Sequence, residues 1–408
     1  MKIYLLLITV TLALTPVVYS QNDLSKLFDT KFSYEIENEL KNNKLRESSA
    51  SYYYTYIGEY EKALMTYEVP LAWGLDSLSH ADSLAFKKYH PINAYDYLAD
   101  RTKNEQIVII SEAHQKPQHR VFTLNLLESL YKNGFRYLGL ETLTPNIVDS
   151  TQNLMDTLLN KRGYPLNNGI TGYYTREPQM GNLVRKALDL GFELFAYEAM
   201  PRKEERDLQQ AHNIEKFLAK HPNQKIVIHC GWYHAIESNY PKRRKDHYLA
   251  YHLKKLTGID PLTIYQDALS EKYLYKESPY YHLTKANEVS ILIDDNGHVF
   301  NGKEDAVHNF DILVYHPRTK YVNNRPNWLF GIKGNKFVEI EKGKIAVDKY
   351  PILAKAYLAN EEYRTTPVDI IELDSFEEPE KLVLKKGVYR IVLIDKDGKE
   401  VEYVKEVK

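Results

Sequence analysis

The sequence lacks the cysteines that an internal disulfide requires, because Cys230 is the only one among 408 residues. This thiol stands at the end of an apolar run, close to Ile228 and Gly231, where a buried structural cysteine is more typical than a nucleophile. A chain of this length can bury a large core and usually folds as two or three units. We therefore expect the fold to be stabilised by its core rather than by cross-links.

The sequence also lacks an excess of either charge. Its 54 Lys and Arg residues balance 55 Asp and Glu residues, which gives a formal net charge of −1. Such a chain produces no strong field that would attract nucleic acid or an acidic membrane. The basic run Lys242–Lys245 is most simply a solvated loop, so we predict no nucleic-acid partner.

Several catalytic signatures are missing. The sequence contains no Gly-x-Ser-x-Gly nucleophile elbow, no His-Glu-x-x-His zinc helix, no glycine-rich phosphate loop and no Gly-x-Gly-x-x-Gly dinucleotide turn. Each motif exists because its chemistry needs that backbone turn or that ligand spacing. Their absence argues against the common serine esterases, zinc peptidases and nucleotide-binding enzymes.

The first twenty residues read as a secretory signal. Lys2 precedes the apolar run Ile3–Leu14, and Thr15-Pro16 and the ending Val18-Tyr19-Ser20 follow. The run is shorter than the roughly 20 residues that a membrane-spanning helix needs. We expect cleavage after Ser20 and export to the periplasm, the outer envelope or the medium, with no transmembrane segment after cleavage.

Residues 21–104 are predicted to form a helical N-terminal segment. They are polar and contribute many of the 34 tyrosines of the chain, and they show no strand alternation. Residues 54–63 resemble the turn of one tetratricopeptide unit, but a single copy cannot build a solenoid. We predict a helical hairpin that packs on the main domain.

The pattern changes at residue 105 to apolar runs separated by amphipathic helical stretches. The runs lie at 106–110, 135–140, 192–197 and 225–229, with helical segments at 121–133, 181–190 and 203–220. This alternation indicates an α/β fold with a mostly parallel central sheet that is flanked by helices. Later runs at 262–265, 290–293 and 311–315 extend the sheet, so we place this α/β domain at 105–335.

Residues 336–408 are predicted to form a small C-terminal β module. They alternate between β-like segments and charged turns, with one short predicted helix at Ile352–Ala359. Lys396-Asp397-Gly398 is typical of a hairpin turn. A unit of this size is an ordinary accessory domain.

Polar side chains follow the ends of four predicted strands. Glu112 and His114 follow the first, Glu141 the second and Glu198 the third, while His234 comes soon after the fourth. The carboxyl ends of parallel strands meet at one edge of a sheet, where ligands bind. We therefore expect these side chains to lie close together. Taken singly, each has a plainer explanation: a Glu often caps the next helix, and a His near a strand end is often packed in the core.

Glu112 and His114 form the sharpest pair. Residues two apart on extended backbone point to the same side, so a carboxylate faces an imidazole. That arrangement orients a general base or supports a metal ligand.

The ordered motifs resemble a known superfamily, the one that joins erythromycin esterase-like enzymes, ChaN-type haem-binding proteins and TIKI/TraB proteins. The resemblance covers about 105–320 and rests on the following segments: Ser111-Glu112-Ala113-His114 with His119, Leu140-Glu141, Tyr174–Pro178, Tyr197-Glu198, Glu205-Arg206-Asp207 and Gly231-Trp232-Tyr233-His234. Two features depart from the family pattern. Ser111 replaces the usual Gly, and the Glu-to-His spacing is closer to ChaN than to the esterases.

The resemblance implies a hydrolase of an ester, lactone or amide in a small-molecule or peptide substrate. His114, oriented by Glu112 or Glu141, would act as general base, and Arg206 would stabilise negative charge. His234 would polarise the substrate or donate a proton. A divalent metal held by His114, His234 and a carboxylate is the metal-assisted version of this hypothesis.

Two other hypotheses stay open from the sequence. The protein could bind haem or another planar cofactor through His119 or His234, with tyrosines lining the pocket. Alternatively it is an envelope scaffold with a vestigial site, in which case the carboxylates and imidazoles would lie more than ~10 Å apart.

Overall fold

The computed structural model describes residues 30–67, 77–143, 156, 158–167, 171–200, 202–238, 247–272, 277–302, 309–341, 349–375, 377 and 381–408. The predicted secretory signal at 1–20 therefore lies outside the described residues. Within those ranges, no helix is both long and apolar enough to cross a membrane.

The helices of the described ranges are mostly short. In chain order they are α1 (Ser33–Lys41), α2 (Glu47–Tyr56), α3 (Tyr60–Thr66), α4 (His80–Phe86), α5 (Ala94–Arg101), α6 (Pro117–Lys132), α7 (Leu159–Arg162), α8 (Pro178–Leu190), α9 (Arg206–Lys220), α10 (Leu249–Thr257) and α11 (Pro279–Leu283). Short 3₁₀ turns occur at Thr102–Asn104, Tyr174–Arg176, Trp232–Ala235 and Asn327–Gly331.

The strands form one large sheet and three smaller ones. They are β1 (His90–Asn93), β2 (Ile107–Glu112), β3 (Phe135–Leu140), β4 (Glu193–Ala196), β5 (Lys225–Gly231), β6 (Leu262–Leu269), β7 (Ser290–Ile293), β8 (Ile312–Tyr315), β9 (Tyr321–Val322), β10 (Arg325–Pro326), β11 (Lys336–Val338), β12 (Ile352–Leu358), β13 (Asp369–Leu373), β14 (Leu382–Leu384), β15 (Gly387–Asp395) and β16 (Glu400–Val407). The eight-stranded sheet has the order β1-β7-β8-β6-β2-β5-β3-β4.

The large sheet confirms the predicted α/β class. Strands β2 to β6 and β8 pair in parallel, while β7 pairs antiparallel with both β1 and β8. Every residue of β2 is buried, because one apolar cluster covers each face of the sheet. Continuous apolar runs such as residues 107–110 are what a sheet covered on both faces requires.

Two local predictions are wrong. The sequence of residues 21–104 shows no strand alternation and predicts only helices, but β1 joins the large sheet by pairing with β7. Residues 352–359 were predicted as a helix, but Ile352–Leu358 is the strand β12, between β13 and β15. Helix-favouring residues in β12 yield to cross-strand pairing and to burial on both faces, which outweigh intrinsic propensity.

The N-terminal helices pack against the C-terminal sheet. As predicted, α2 and α3 form a helical hairpin. Phe32, Ile36 and Ile57 share an apolar cluster with Leu353 and Ile370 of the C-terminal strands. The N-terminal helices and the C-terminal strands therefore bury a common core. The predicted domain boundaries at 105 and 336 stay predictions.

Gly58 sits where this contact is tightest, and it provides a test of that packing. Its φ is +79°, and a Cβ would lie 2.1 Å from the carbonyl oxygen of Ile370. We expect Gly58→Ala to lower the free energy of unfolding by about 2–5 kcal/mol, from the left-handed backbone and the overlap together. Gly297→Ala is a matched control, because its φ is +81° and it has no neighbour within 4 Å.

The control should cost only about 1–2 kcal/mol, the backbone contribution alone. Urea denaturation of both variants measures the difference. Equal losses would show that the hairpin does not press on the C-terminal sheet.

Candidate active site

Four parallel strands of the large sheet end at the candidate site. Glu112 is the last residue of β2, and the parallel register places it beside Gly231, the last residue of β5. Leu140 of β3 lies beside His229 of β5, so Glu141 emerges next to them. The predicted residues meet because successive parallel strands point their carboxyl ends to the same edge.

The innermost part of the site is a chain of buried charges. Arg120 of α6 donates to both carboxylate oxygens of Glu112, from Nε at 2.8 Å and from Nη2 at 2.7 Å. Its Nη1 donates to Glu177 Oε2 at 2.9 Å. Burial favours the protonated acid, but Arg120, His229 and His114 outweigh it and hold the pKa of Glu112 well below its usual value. Glu112 is therefore ionised.

An ionised Glu112 sets the tautomer of His114. Its Oε1 lies 2.7 Å from Nδ1 of His114, and a carboxylate can only accept a hydrogen bond. Nδ1 therefore carries a proton, so in the neutral form of the ring the lone pair is on Nε2. The predicted same-side arrangement of the two residues is confirmed, and Glu112 rather than Glu141 orients the imidazole.

Aromatic rings enclose His114. Tyr174 stacks on it at 4.0 Å between ring centroids, Trp232 meets it edge-on at 4.6 Å, and Tyr52 of α2 lies at 6.2 Å. A Cβ on Gly231 would lie 2.4 Å from His114 Nε2, so only glycine fits there. The next residue, Trp232, has a φ of +28°, an unfavourable backbone conformation of the kind that concentrates at functional sites.

Glu141 lies between the two predicted histidines. Its Oε2 accepts the Gly231 N–H at 2.5 Å and lies 4.0 Å from His114 Nε2. Its Oε1 accepts from Arg206 Nη2 at 2.7 Å and lies 3.5 Å from His234 Nε2. Burial opposes ionisation, but His234, His114 and Arg206 hold the pKa of Glu141 well below its usual value. The centre of the site is thus an anionic carboxylate.

Arg206 and Glu198 form the exposed side of the site. The Arg206 side chain is 36% exposed, against 8% for Glu141. Arg206 Nε donates to Glu198 Oε1 at 3.0 Å, and Nη2 contacts Glu198 Oε2. Because Arg206 begins α9, the helix start places this guanidinium beside the ends of β3 and β4.

His234 has a carboxylate of its own, Asp207. His234 Nδ1 lies 2.6 Å from Asp207 Oδ1, which also accepts the Leu249 N–H at 3.0 Å. Burial disfavours the cation, but Glu141 and Asp207 raise the pKa of His234 to about 10. As a cation, His234 can donate from Nε2 towards Glu141; as a neutral ring, it can accept from Arg206 Nη1 at 3.0 Å.

The predicted metal set does not fit this arrangement. His114 and His234 face opposite oxygens of Glu141, and the guanidinium of Arg206 contacts both His234 and Glu141 where a cation would bind. Across the described ranges, no group of three or more His, Cys, Asp or Glu side chains is disposed to hold a metal ion. The cation at this carboxylate is Arg206.

His119 does not belong to the group, which corrects its predicted role as a haem ligand. It is fully buried, and its Nδ1 accepts the Ala113 N–H at 2.9 Å. Its ring packs at 4.9 Å from that of His316, in the core beside the first turn of α6. An axial ligand must face an open slot, which this imidazole does not.

The other six predicted site residues form one group in which each side chain contacts another at 4.0 Å or less. They are Glu112, His114, Glu141, Glu198, Arg206 and His234. Separations beyond ~10 Å, which the scaffold hypothesis requires, are not found.

Sequence reasoning missed three charged residues that hold this group in place. Asp207 adjoins the predicted Arg206, and Glu177 stands before Pro178, a pattern typical of a helix start. Arg120 lies one helical turn into α6, on the side that faces Glu112. No sequence pattern singles out Arg120, because Glu112 lies on a strand and the helix begins only at Pro117.

No protein-family model and no curated protein sequence matches this chain. Among solved structures, it is similar to the type III effector HopBA1, with 13% identity, 52% of this chain and 94% of the other covered, and a TM-score of 0.30. It is also similar to RRSP, a MARTX toxin effector domain from Vibrio vulnificus, with 16% identity, 42% and 36% covered, and a TM-score of 0.29.

A third similar structure is described as cofacial heme binding to ChaN of Campylobacter jejuni. The identity is 10%, 56% of this chain and 97% of the other are covered, and the TM-score is 0.34. Likenesses at this level say nothing about what this chain binds or does.

The state of His234 predicts a pH dependence of stability. With its pKa raised from 6.5 to about 10, the folded state binds the proton more tightly than the unfolded state. This stabilisation is complete below the unfolded pKa and is lost as pH rises through the folded pKa. We expect the stability difference between wild type and His234→Gln to be largest at about pH 6 and to vanish above about pH 10.

Urea denaturation across this pH range measures the difference. His212→Gln, on the same helix with a side chain that is 30% exposed, is the control and should show little dependence, because solvent screens exposed charges. A wild-type minus His234→Gln difference that stays constant with pH would show a neutral His234 that accepts from Arg206.

Proposed function

We propose that this chain is a metal-free hydrolase that acts on an ester, lactone or amide of a small molecule or peptide. The observation that carries the proposal is the placement of Glu141 between His114 and His234, each held by a carboxylate of its own. Two imidazoles beside one carboxylate can supply a general base, which must be neutral, and a general acid, which must be protonated.

His114 is the general base of this proposal. Its Nε2 lone pair faces Glu141, and the buried Glu112–Arg120 pair fixes the ring through Nδ1. The space among Glu112, His114, Glu141 and Tyr174 has no room for a water molecule in this closed arrangement, so the mechanism requires the aromatic enclosure to open. A water molecule that then reaches Nε2 loses its proton to that nitrogen as its oxygen attacks the substrate carbonyl carbon, and ionised Glu112 stabilises the imidazolium.

His234 and Arg206 act on the other side of the carbonyl. A cationic His234 donates its Nε2 proton to the departing oxygen or nitrogen as the carbonyl–leaving-group bond breaks. Arg206, the most exposed cation of the group, is placed to stabilise the negative charge that develops on the carbonyl oxygen. Glu141 attracts the cationic His234 and holds it in the site.

The segments that resemble those of the erythromycin esterase-like, ChaN and TIKI/TraB superfamily support the same proposal at the level of residues. They contribute Glu112, His114, Glu141, Arg206 and His234 to one site. Export, inferred from residues 1–20, is part of the proposal and would place the enzyme outside the cytoplasm.

Haem binding receives less support. The space among Glu112, His114, Glu141 and Tyr174 is packed too tightly for a planar macrocycle. A histidine ligand also needs a free nitrogen that faces an open slot. His234 Nε2 contacts Arg206 instead.

Mutation of the two histidines tests the hydrolase proposal. Assays on p-nitrophenyl esters, lactones and peptides should show that His114→Ala and His234→Ala each lower kcat/KM by about 10²–10⁴-fold, the usual contribution of an acid or base. Glu128→Gln, exposed on α6, is the control and should retain wild-type activity. Equal activity of all the variants on every hydrolysed substrate would eliminate the assignment.

Metal removal and haemin addition test the two cofactor alternatives. We expect activity to survive dialysis against a chelator, since Arg206 takes the place of a metal beside Glu141. In a haemin titration, wild type and His234→Ala should give the same Soret band, because no haem binds through His234. Loss of activity that zinc restores, or a histidine-dependent Soret shift, would contradict the metal-free hydrolase.

A further inference from the structure

A second buried charge cluster lies beside the proposed site. Lys116, which precedes α6, and Lys272, which follows β6, both contact Asp267. Lys116 Nζ lies 2.7 Å from Oδ1, and Lys272 Nζ lies 2.5 Å from Oδ2. The three side chains are between 5% and 10% exposed. Two ammonium groups thus share one carboxylate.

The two lysines differ in the number of acceptors around their ammonium groups. Lys116 Nζ has three acceptors, since it also donates to Ser270 Oγ at 2.7 Å and to the Glu271 carbonyl at 2.8 Å. Within the described ranges, Lys272 Nζ has Asp267 as its acceptor. An ammonium donates three hydrogen bonds, and leaving donors unfilled in a buried position is costly. Lys272 can therefore bind another acceptor.

Nearby acids are already engaged by other partners. Glu277 lies 2.6 Å from Arg318 Nη2 and accepts the Lys272 backbone N–H at 3.0 Å. Glu271 accepts the Thr319 N–H at 3.1 Å and lies 4.0 Å from Arg318 Nη1. These carboxylates are turned towards Arg318 and, among the described residues, add no second acceptor at Lys272 Nζ.

The buried imidazoles around the cluster report its positive field. Burial, followed by the charge of Lys116, lowers the pKa of His316 to about 3. Burial, His316, Lys116 and, more weakly, Lys272 also lower the pKa of His119. Burial, and then the charge of Lys116, lower the pKa of Lys272 itself to about 7, although the attraction of Asp267 opposes them. An added anion would relieve this repulsion.

The cluster is adjacent to the proposed catalytic groups. Lys116 follows His114 by two residues. Tyr67 stacks on Trp232 at 5.7 Å, and Trp232 contacts His114. Tyr67 is also close enough to Asp267 that this carboxylate, after burial and Tyr52, raises its pKa. A substrate at His114 could therefore extend past Tyr67 to Lys272.

We propose that Lys272, supported by Lys116, binds an anionic oxygen group of the carboxylate or phosphate type next to the hydrolytic centre. As a statement about the substrate, this rests on the proposed hydrolase function, and it assigns that enzyme an ester or amide with an acidic group. Anion binding itself does not depend on hydrolysis.

Protection of the Lys272 amine tests the anion site directly. Full-length protein is treated with fluorodinitrobenzene in sodium phosphate, sodium acetate or sodium chloride at equal ionic strength, and labelled peptides are measured by mass spectrometry. At an anion concentration of about twice the dissociation constant, occupancy should slow labelling of Lys272 about threefold relative to chloride. Lys285, an exposed lysine of the same chain, is the internal control.

The outcomes separate the possible ligands. Protection by phosphate alone supports a phosphate-type group, and protection by acetate as well supports a carboxylate. Equal rates for Lys272 in all three salts, or parallel changes at Lys272 and Lys285, overturn the anion site.

A matched pair of esters then tests the link to catalysis. p-Nitrophenyl succinate carries a carboxylate that p-nitrophenyl butyrate lacks, so the ratio of their kcat/KM values reports recognition of the anion. Lys272→Gln should lower this ratio and Lys285→Gln should not, with circular dichroism to confirm folding. If neither ester is hydrolysed, the hydrolase proposal fails on these substrates while the protection experiment still decides the anion site.

Discussion

The buried ion pair between Arg120 and Glu112 is the interaction on which the rest of the site depends. Arg120 is fully buried, and it joins the end of β2 to Glu177 at the start of α8. Removing one partner of a buried pair typically costs about 3–5 kcal/mol, because it leaves an uncompensated charge. The same guanidinium keeps Glu112 ionised, and Glu112 fixes the tautomer of His114. Stability and the proposed chemistry therefore depend on one contact.

The chain outside the large sheet also contributes to the site. Tyr52, from an N-terminal helix, forms part of the aromatic enclosure of His114. The C-terminal module is fastened to α8 by Arg185, whose Nε lies 2.7 Å from Glu361 Oε1. The N-terminal hairpin that carries Tyr52 packs on the same C-terminal strands, next to Leu353 and Ile370. The hairpin therefore contributes an aromatic side chain to the enclosure of His114.

The central sheet and most of the site could be predicted, but its supports could not. Buried strands such as β2 reveal themselves as apolar runs, and topology alone brings Glu112, Glu141 and Glu198 to one edge. The helix prediction for residues 352–359 is wrong because their composition favours a helix, whereas pairing with two strands decides the conformation of 352–358. The prediction of His119 as a haem ligand rested on its closeness in sequence to site residues. It is wrong because the first turn of α6 places the ring in the core.

By itself, the sequence determined the α/β class, the strand ends that carry chemistry, and the same-side placement of Glu112 and His114, because these follow from local periodicity. Only the tertiary structure decided which groups touch across the site. It placed Arg206 beside Glu141 in the position expected of a metal, and Asp207 behind His234. Those contacts join residues far apart in the chain, and their geometry depends on how helices pack onto the sheet, which no local pattern encodes.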